Sequence, residues 1–264
     1  MVAGGLLLAA DEGLDRGYGP LTVVFVLQAM AAGIVAACEW IFPYTSSWHR
    51  SRGDIGADAG HSIVSAILVP EVLKPFIHAG GVALALWLAG QGGGGLWPAG
   101  WALGWQLALA LVVGELGQYM FHRLGHETEL IWRVHSVHHS APRLYWLNAG
   151  RFHPVDFLLF FVGWYFPLIA LGCPQDVIAL FALFTAIHGL FQHANVEVRL
   201  GPLNWIFSMA ELHRWHHSRT LEECNTNYGN TLIVWDIVFG TRFLPADREP
   251  PVDIGIATMP DFPT

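Results

Sequence analysis

Eight of the fourteen histidines fall into three tight clusters: His122-Arg-Leu-Gly-His126, His135-Ser-Val-His138-His139 and His213-Arg-Trp-His216-His217. Residues three and four apart share a helix face, so the spacing predicts that each cluster aims its imidazoles in a single direction. Neutral imidazole is the commonest protein ligand for iron, zinc and copper. With 14 histidines in the chain, about 0.04 copies of His-x-x-His-His are expected by chance, and two occur. The pattern predicts a metal site with more than one ion.

Other residues join these candidates. Glu115, Gln118, His122 and His126 recur at intervals of three and four, a polar stripe on an apolar stretch that begins near Trp101. An ionisable residue inside such a run is a functional candidate. Glu115 either ligates a metal, accepts a hydrogen bond from the outer nitrogen of a ligating histidine, or reaches a polar cavity. His193, in Phe191-Gln-His-Ala-Asn195, leaves the last apolar run on the histidine side and reads as a ligand. His188, five residues earlier, reaches the site only from a bent helix. His153, in Arg151-Phe-His-Pro154, is a ligand, a support for one, or a structural turn residue. His49, His61 and His78 lack a histidine partner at helical spacing and read as polar interface residues.

The donor set narrows the metal chemistry. A structural zinc takes four ligands and commonly includes cysteine, whereas Cys38, Cys173 and Cys224 fit no thiolate spacing and read as buried thiols. His126-Glu127 is followed by Thr-Glu-Leu, so the His-Glu-x-x-His pattern of zinc proteases is missing. Eight or more imidazoles suit two ions in one cage. Two irons with open positions can bind and reduce dioxygen, and the resulting oxidant removes hydrogen from an unactivated C–H bond. Rebound of oxygen gives an alcohol; a second abstraction gives a double bond.

The elements that must position these groups are helices in contact with lipid. Hydrophobic residues make up 53% of the chain and charged residues 13%, with a mean hydropathy of +0.43; soluble domains carry roughly 25% charge. Apolar runs lie at Leu21–Ala37, about Pro75–Gly90, Leu96–Met120, Phe157–Gly172 and Val177–Leu190. The expectation is an all-α membrane bundle of about four or five spanning helices or hairpins, capped by a histidine-rich helical layer. Gly172-Cys173-Pro174 turns one hairpin and Gln91–Gly95 another, returning residues 122–139 and 213–217 to one face. Every Lys and Arg except Arg16 then shares that face, and the positive-inside rule makes it cytoplasmic. The acidic start (Asp11, Glu12, Asp15) lacks the basic region of a cleaved signal peptide. The chain divides into N-terminal membrane helices (1–114), a catalytic region (115–245) and a proline-rich tail (246–264) that is poorly ordered or draped on the surface. Neither a dinucleotide fingerprint nor any nucleic-acid-binding feature is present.

With these motifs in order, the sequence resembles the fatty acid hydroxylase/sterol desaturase superfamily of membrane di-iron oxygenases. The resemblance rests on His135-Ser-Val-His-His-Ser-Ala-Pro142, Asn148-Ala-Gly-Arg-Phe-His-Pro154, Phe191-Gln-His-Ala-Asn195, His213-Arg-Trp-His-His-Ser218 and Asn227-Tyr-Gly-Asn230, followed by Trp235-Asp236 and Phe239-Gly-Thr241. It implies two non-haem irons, O2 as co-substrate, a lipid substrate and an external electron donor. Family ligands match His122, His126, His135, His138, His139, His213, His216 and His217, and also His193. His188 and His153 fall in a region where members differ. Asn227, Asn230 and Asp236 support the site or form a hydrogen-bonded turn after the last cluster. No histidine follows His217, so a fused haem domain is not expected. Electrons then come from a separate ferredoxin or cytochrome b5-like protein with its reductase.

Two other classes remain to be separated. A metal transporter strings its ligands through the membrane depth; a bis-histidine cytochrome faces isolated histidines across mid-membrane helices and shows a Soret band. Sterol, acyl chain, carotenoid and ether lipid are not distinguished by these motifs, nor is hydroxylation from desaturation. The apolar runs make one immediate prediction: the expressed protein partitions into membranes and needs detergent for extraction. Recovery in the detergent-free soluble fraction contradicts it.

Overall fold

A computed structural model describes residue 16 and residues 20–90 and 95–257. The described residues form helices α1 (Pro20–Ile41), α2 (Ile55–His61), α3 (Val69–Gly90), α4 (Leu103–Glu127), α5 (Glu129–His139), α6 (Pro154–Ala170), α7 (Gln175–Gln192), α8 (Ala210–His216), α9 (Leu221–Cys224) and α10 (Val234–Phe239). Extended pairing among them is limited to isolated bridges, such as Phe207 with Leu232 and Ser218 with Ile254. The all-α expectation is met. The glycine turn at 91–95 falls largely outside the described residues, as does the acidic start.

Proline was a poor guide to the second apolar run. Helical structure begins at Ile55 and passes through a π-helical stretch, Ser62–Leu68, into α3. Pro70 lies in the first turn of α3, where its missing N–H is tolerated, and Pro75 is carried inside the helix. The third run starts later than its hydropathy suggests. Trp97 donates its indole N–H to Gln106 Oε1 at 2.9 Å, and Gln106 Nε2 reaches the Trp101 carbonyl at 2.8 Å. This knot holds residues 97–101 in a turn ahead of α4.

Helix α4 is the axis of the molecule. Helices α6 and α7 leave the Gly172 turn (φ +81°) and settle on different flanks of it. A methyl on Gly114 would lie 2.7 Å from the Phe181 ring of α7 and 3.2 Å from the Trp164 carbonyl of α6. Ala110, Leu111, Leu168, Val177 and Phe181 fill the space between the three helices. Helix α1 packs Val23, Leu27 and Ala31 against Leu183 and Ile187 of α7.

Outward faces are apolar. Phe25 (72% exposed), Trp40 (71%), Phe76 (70%) and Leu86 (69%) point away from the protein, an arrangement that soluble monomers avoid over large areas. Two helical stretches, Ile55–Trp87 and Gln175–Gln192, have the length and apolar composition to cross a bilayer. Helices Phe25–Ile41 and Pro154–Ala170 are apolar but shorter.

Residues 252–255 of the tail are more firmly held than a poorly ordered or draped segment. Ile254 is buried with Trp48 and Leu144, and Gly255 N–H donates to the His217 carbonyl at 3.2 Å. Trp48 Nε1 donates to the Val252 carbonyl at 3.2 Å.

The tightest helix contact is backbone on backbone. A methyl on Gly117 of α4 would come within 2.1 Å of the Gly163 carbonyl oxygen of α6. Gly117→Ala therefore forces the two helices apart, at an overpacking cost of about 1–3 kcal/mol. The expected outcome is a lowered thermal unfolding midpoint in detergent, whereas Gly104→Ala, with open space around it, leaves the midpoint unchanged.

Candidate metal centre

Histidines from four elements converge at one end of this bundle. The last turns of α4 carry His122 and His126, α5 carries His135, His138 and His139, His193 caps α7, and α8 with its cap carries His213, His216 and His217. They sort into two groups whose donor atoms lie within 4.8 Å of one another: His122, His126, His135, His139 and His216 in the first, His138, His193, His213 and His217 in the second.

The sorting corrects the expectation of one direction per cluster. In each His-x-x-His-His motif the residues four apart stay together, and the intervening one crosses to the other group. Adjacent residues diverge by about 100° on a helix, so a His-His pair straddles two positions. Thus His135 and His139 serve the first group and His138 the second; His213 and His217 serve the second and His216 the first. The His139 and His217 rings stack at 4.4 Å across the boundary.

Hydrogen bonds at the outer nitrogens decide which atom faces the centre. His122 Nδ1 donates to the Tyr228 carbonyl at 2.6 Å, His138 Nδ1 to the Arg151 carbonyl at 3.2 Å, and His216 Nδ1 to the Thr226 carbonyl at 2.7 Å. A carbonyl only accepts, so Nδ1 holds the proton and Nε2 presents its lone pair inward. His135 Nδ1 donates to Asp156 Oδ2 at 3.0 Å, a carboxylate buried with it. His193 Nδ1 meets Asn148 Oδ1 at 2.9 Å and His126 Nδ1 meets Asn225 Oδ1 at 3.1 Å. The Asn148 amide is itself oriented, since its Nδ2 donates to the Arg143 carbonyl at 2.6 Å.

This arrangement fits cations. Nε2 of His122 and of His216 is buried without a hydrogen-bond partner, although the proton sits on the other nitrogen. His138 Nε2 and His193 Nε2 stand 3.3 Å apart, both turned inward as acceptors. His213 Nε2 is 3.0 Å from Nε2 of both His193 and His217, and His139 Nε2 is 3.0 and 3.1 Å from those of His126 and His135. Neighbouring ligands on one ion, with metal–nitrogen bonds of about 2.1 Å, lie about 3 Å apart when octahedral and somewhat farther when tetrahedral. Buried lone pairs at that spacing repel unless a cation lies among them.

Burial also sets the protonation state. It pushes the pKa of His138, His139, His213, His216 and His217 well below the ordinary histidine value, and neighbouring imidazoles push the same way. His193 is driven down to about 3 by burial. The imidazoles are therefore neutral near pH 7, as ligation requires.

Two loops supply the outer partners, and buried polar groups hold both. In the first turn of α10, Asp236 accepts the backbone N–H groups of Tyr228 and Gly229, each at 2.8 Å, and the Thr241 hydroxyl at 2.7 Å. Asn227, at φ +51°, donates to the Leu212 and Phe243 carbonyls. Glu115 accepts the N–H groups of Asn230 and Thr231. It contacts the loop instead of an imidazole, while Gln118 Nε2 lies 3.3 Å from His122 Nδ1. Asn230 takes part through its backbone; its own amide reaches Thr231 Oγ1 at 3.4 Å.

The other loop, 140–153, is clamped by residues that sequence reading did not single out. Asp58 accepts from Arg151 Nη1 and from the Tyr145 hydroxyl, both at 2.7 Å. Asp54 accepts from Arg143 Nε at 2.6 Å, and Glu39 from the backbone N–H groups of Trp146 and Asn195. Arg143 and Arg151, counted above as cytoplasmic charge, are buried structural cations. Asp156, in the first turn of an apolar helix, carries a sequence signal like that of Glu115.

His188 and His153 join neither group. His188 Nε2 donates to the Ser208 carbonyl, and five residues from His193 place it about 140° around the helix. His153 caps α6, its Nδ1 accepting the Val155 N–H at 3.1 Å. His61 Nδ1 pairs with the Phe152 carbonyl at 2.9 Å and His49 Nε2 with the Glu39 carbonyl at 2.9 Å, and neither joins a histidine group. Cys224 Sγ sits 3.7 Å from His126 Nδ1, and burial pushes its pKa up to about 12, so it remains a thiol.

A pH dependence follows for metal-free protein. Buried imidazoles bind no proton at a pH where the unfolded chain's histidines, near 6.5, begin to do so. Folding stability is then full above that value and falls as the pH drops below it. Chelator-treated protein is expected to show a lower unfolding midpoint at about pH 5.5 than at about pH 7.5, and a flat profile overturns the burial argument.

Comparison with known proteins agrees with this geometry. The family model described as fatty acid hydroxylase matches residues 107–241. An ornithine lipid hydroxylase of Rhizobium tropici is 39% identical over 88% of this chain and 70% of its own length. An alkylglycerol monooxygenase of Xenopus tropicalis is 34% identical over 55% of this chain, and a methylsterol monooxygenase of Rattus norvegicus is 30% identical over 52%. The chain spans only 32% and 48% of these two relatives. No solved structure matches significantly. Relatives named hydroxylase and monooxygenase are oxidoreductases, and on the family match the chain belongs to the fatty acid hydroxylase family.

Proposed function

We propose that the two histidine groups each hold one iron, and that the protein hydroxylates an unactivated C–H bond of a lipid. The observation that carries this reading is the sorting of nine buried or nearly buried imidazoles into groups of five and four, six of them with the outer nitrogen on a hydrogen-bond acceptor so that the other faces inward. Bound irons would supply O2 activation and hydrogen abstraction, with one oxygen atom entering the product and the other leaving as water at the expense of two electrons and two protons.

The chain's own residues do the rest. Carbonyls of Arg151, Thr226 and Tyr228 hold the outer protons of His138, His216 and His122. Asp156 places a carboxylate behind His135 in the first group, whereas His138 and His193 of the second lean on neutral oxygens. The first position thus favours the more strongly held ion. His193 belongs to the ligand set and His188 and His153 do not; Glu115, Asn227, Asn230 and Asp236 position the 225–231 loop.

The reading extends to topology and partners. Helices α1, α3, α4, α6 and α7 form the membrane bundle, and the histidine layer caps it on the cytoplasmic side, supported by the distribution of Lys and Arg. Lipid enters from the bilayer. Electrons arrive from a separate ferredoxin or cytochrome b5-like protein. Names of the relatives favour hydroxylation over desaturation.

The test is metal content with product analysis. Purified protein is expected to bind about two irons per chain without a Soret band, and aerobic incubation with lipid and reductant to add one oxygen to the product. Loss of two hydrogens instead identifies a desaturase. His138→Ala and His216→Ala each remove one ligand from opposite groups; both are expected to lose iron and abolish turnover while still inserting into membranes. Full turnover in both variants refutes the ligand set.

A further inference from the structure

A polar stripe runs along the helical turns at residues 58–65. Asp58 and His61 of α2 and Ser62 and Ser65 of the π-helical stretch recur three and four residues apart, while Ile63, Val64 and Ile67 alongside them are exposed. Serine hydroxyls inside helices often bond a carbonyl of their own preceding turn. Here both cross to the 140–153 loop. Ser62 Oγ donates to the Leu147 carbonyl at 3.1 Å, and the fully buried Ser65 donates to the Phe152 carbonyl at 2.6 Å. His61 Nδ1 donates to that same Phe152 carbonyl at 2.9 Å, so both of its lone pairs are taken.

The residue held in this way touches a metal-ligand candidate twice. The Phe152 ring lies flat on the His138 imidazole, with centroids 4.3 Å apart and planes 13° from parallel. The peptide joining Arg151 to Phe152 presents the Arg151 carbonyl to His138 Nδ1 at 3.2 Å. The stacked ring fixes the plane of the imidazole, and the hydrogen bond fixes its rotation within that plane. Together they aim Nε2. The Arg151 side chain is tied to Asp58, Val137 and Ser140. Those ties leave the direction of its carbonyl to the backbone torsions on either side of the peptide, and the grip on Phe152 settles them.

We infer that His61 and Ser65 are positioning residues for His138: by fixing the Phe152 carbonyl they keep the Phe152 ring and the Arg151 carbonyl on that imidazole, and so set how firmly the second histidine group holds its ion. The outer nitrogens of His122, His126, His135 and His216 rest on other residues, which confines the effect to the second group. Partners behind metal-ligating histidines commonly govern affinity in this way. The inference rests on the metal reading above and adds the residues that control one of its two groups.

Cobalt titration of metal-free protein in phosphatidylcholine nanodiscs, followed by visible bands and by bound cobalt per chain, reads both groups without turnover. The wild-type protein is expected to take up two ions. His61→Leu combined with Ser65→Ala is expected to weaken one of them by at least about tenfold and to leave the other unchanged. His61→Asn, whose amide donates from the position of Nδ1, is expected to bind both as the wild type does. In a His138→Ala background the paired substitution is expected to weaken the remaining cobalt binding no further, because the imidazole that it aims is gone. A mere tether between segments gives a different pattern, with both ions weakened equally or a further loss in the His138→Ala background. Either result overturns the inference, as does unchanged binding in the paired variant. Should that variant not fold, Ser65→Ala alone carries the test, with the same selective pattern expected at smaller size. Failure of the wild-type protein to bind two ions sinks the metal reading, and this inference with it.

Discussion

Everything in this molecule answers to the placement of uncharged imidazole lone pairs in a space sealed from water. A neutral imidazole has one proton and one lone pair, so fixing the proton on the outer nitrogen fixes the inner one as a donor to a cation. His122, His138 and His216 achieve this with backbone carbonyls, His135 with a carboxylate. The cost is a set of buried lone pairs about 3 Å apart, which repel one another unless a cation is present. Both groups are so arranged that each could hold a metal ion.

Holding the outer partners in place explains much of the remaining polar chemistry. Carbonyls of irregular loops serve as acceptors, and loops need anchoring. Asp236, Asn227 and Glu115 anchor the loop behind His122 and His216 through backbone groups. Asp58 and Asp54 anchor the loop behind His138 and His193 through Arg151 and Arg143. Such buried ion pairs contribute little net stability, but losing one partner leaves a bare buried charge. Their value here is geometric: Asp54 and Asp58 help to hold the site although the nearby His49 and His61 enter neither group.

The bundle beneath performs a different task. Close backbone contact at Gly117 and Gly163 brings α4 and α6 together, so that Asp156 at the head of α6 reaches His135. Outward Phe, Trp and Leu side chains leave the helices suited to a lipid surround, and the polar groups gather at one end.

Helix spacing, donor type and overall class were legible in the amino-acid order, because they depend on residues three or four apart. The clusters announced histidine groups that could hold metal, and the apolar runs announced helices with exposed apolar faces. Assignment of each imidazole was not legible: the two groups draw on four elements, and a single helix serves both. His193 reads as a ligand and His188 as one only from a bent helix; the turn between them sends the first into the second group and the other to Ser208. The partners behind the ligands were hidden for the same reason, His122 finding Tyr228 across 106 residues and Arg151 finding Asp58 across 93. Local periodicity specifies which side chains share a helix face; only packing between helices decides what that face meets.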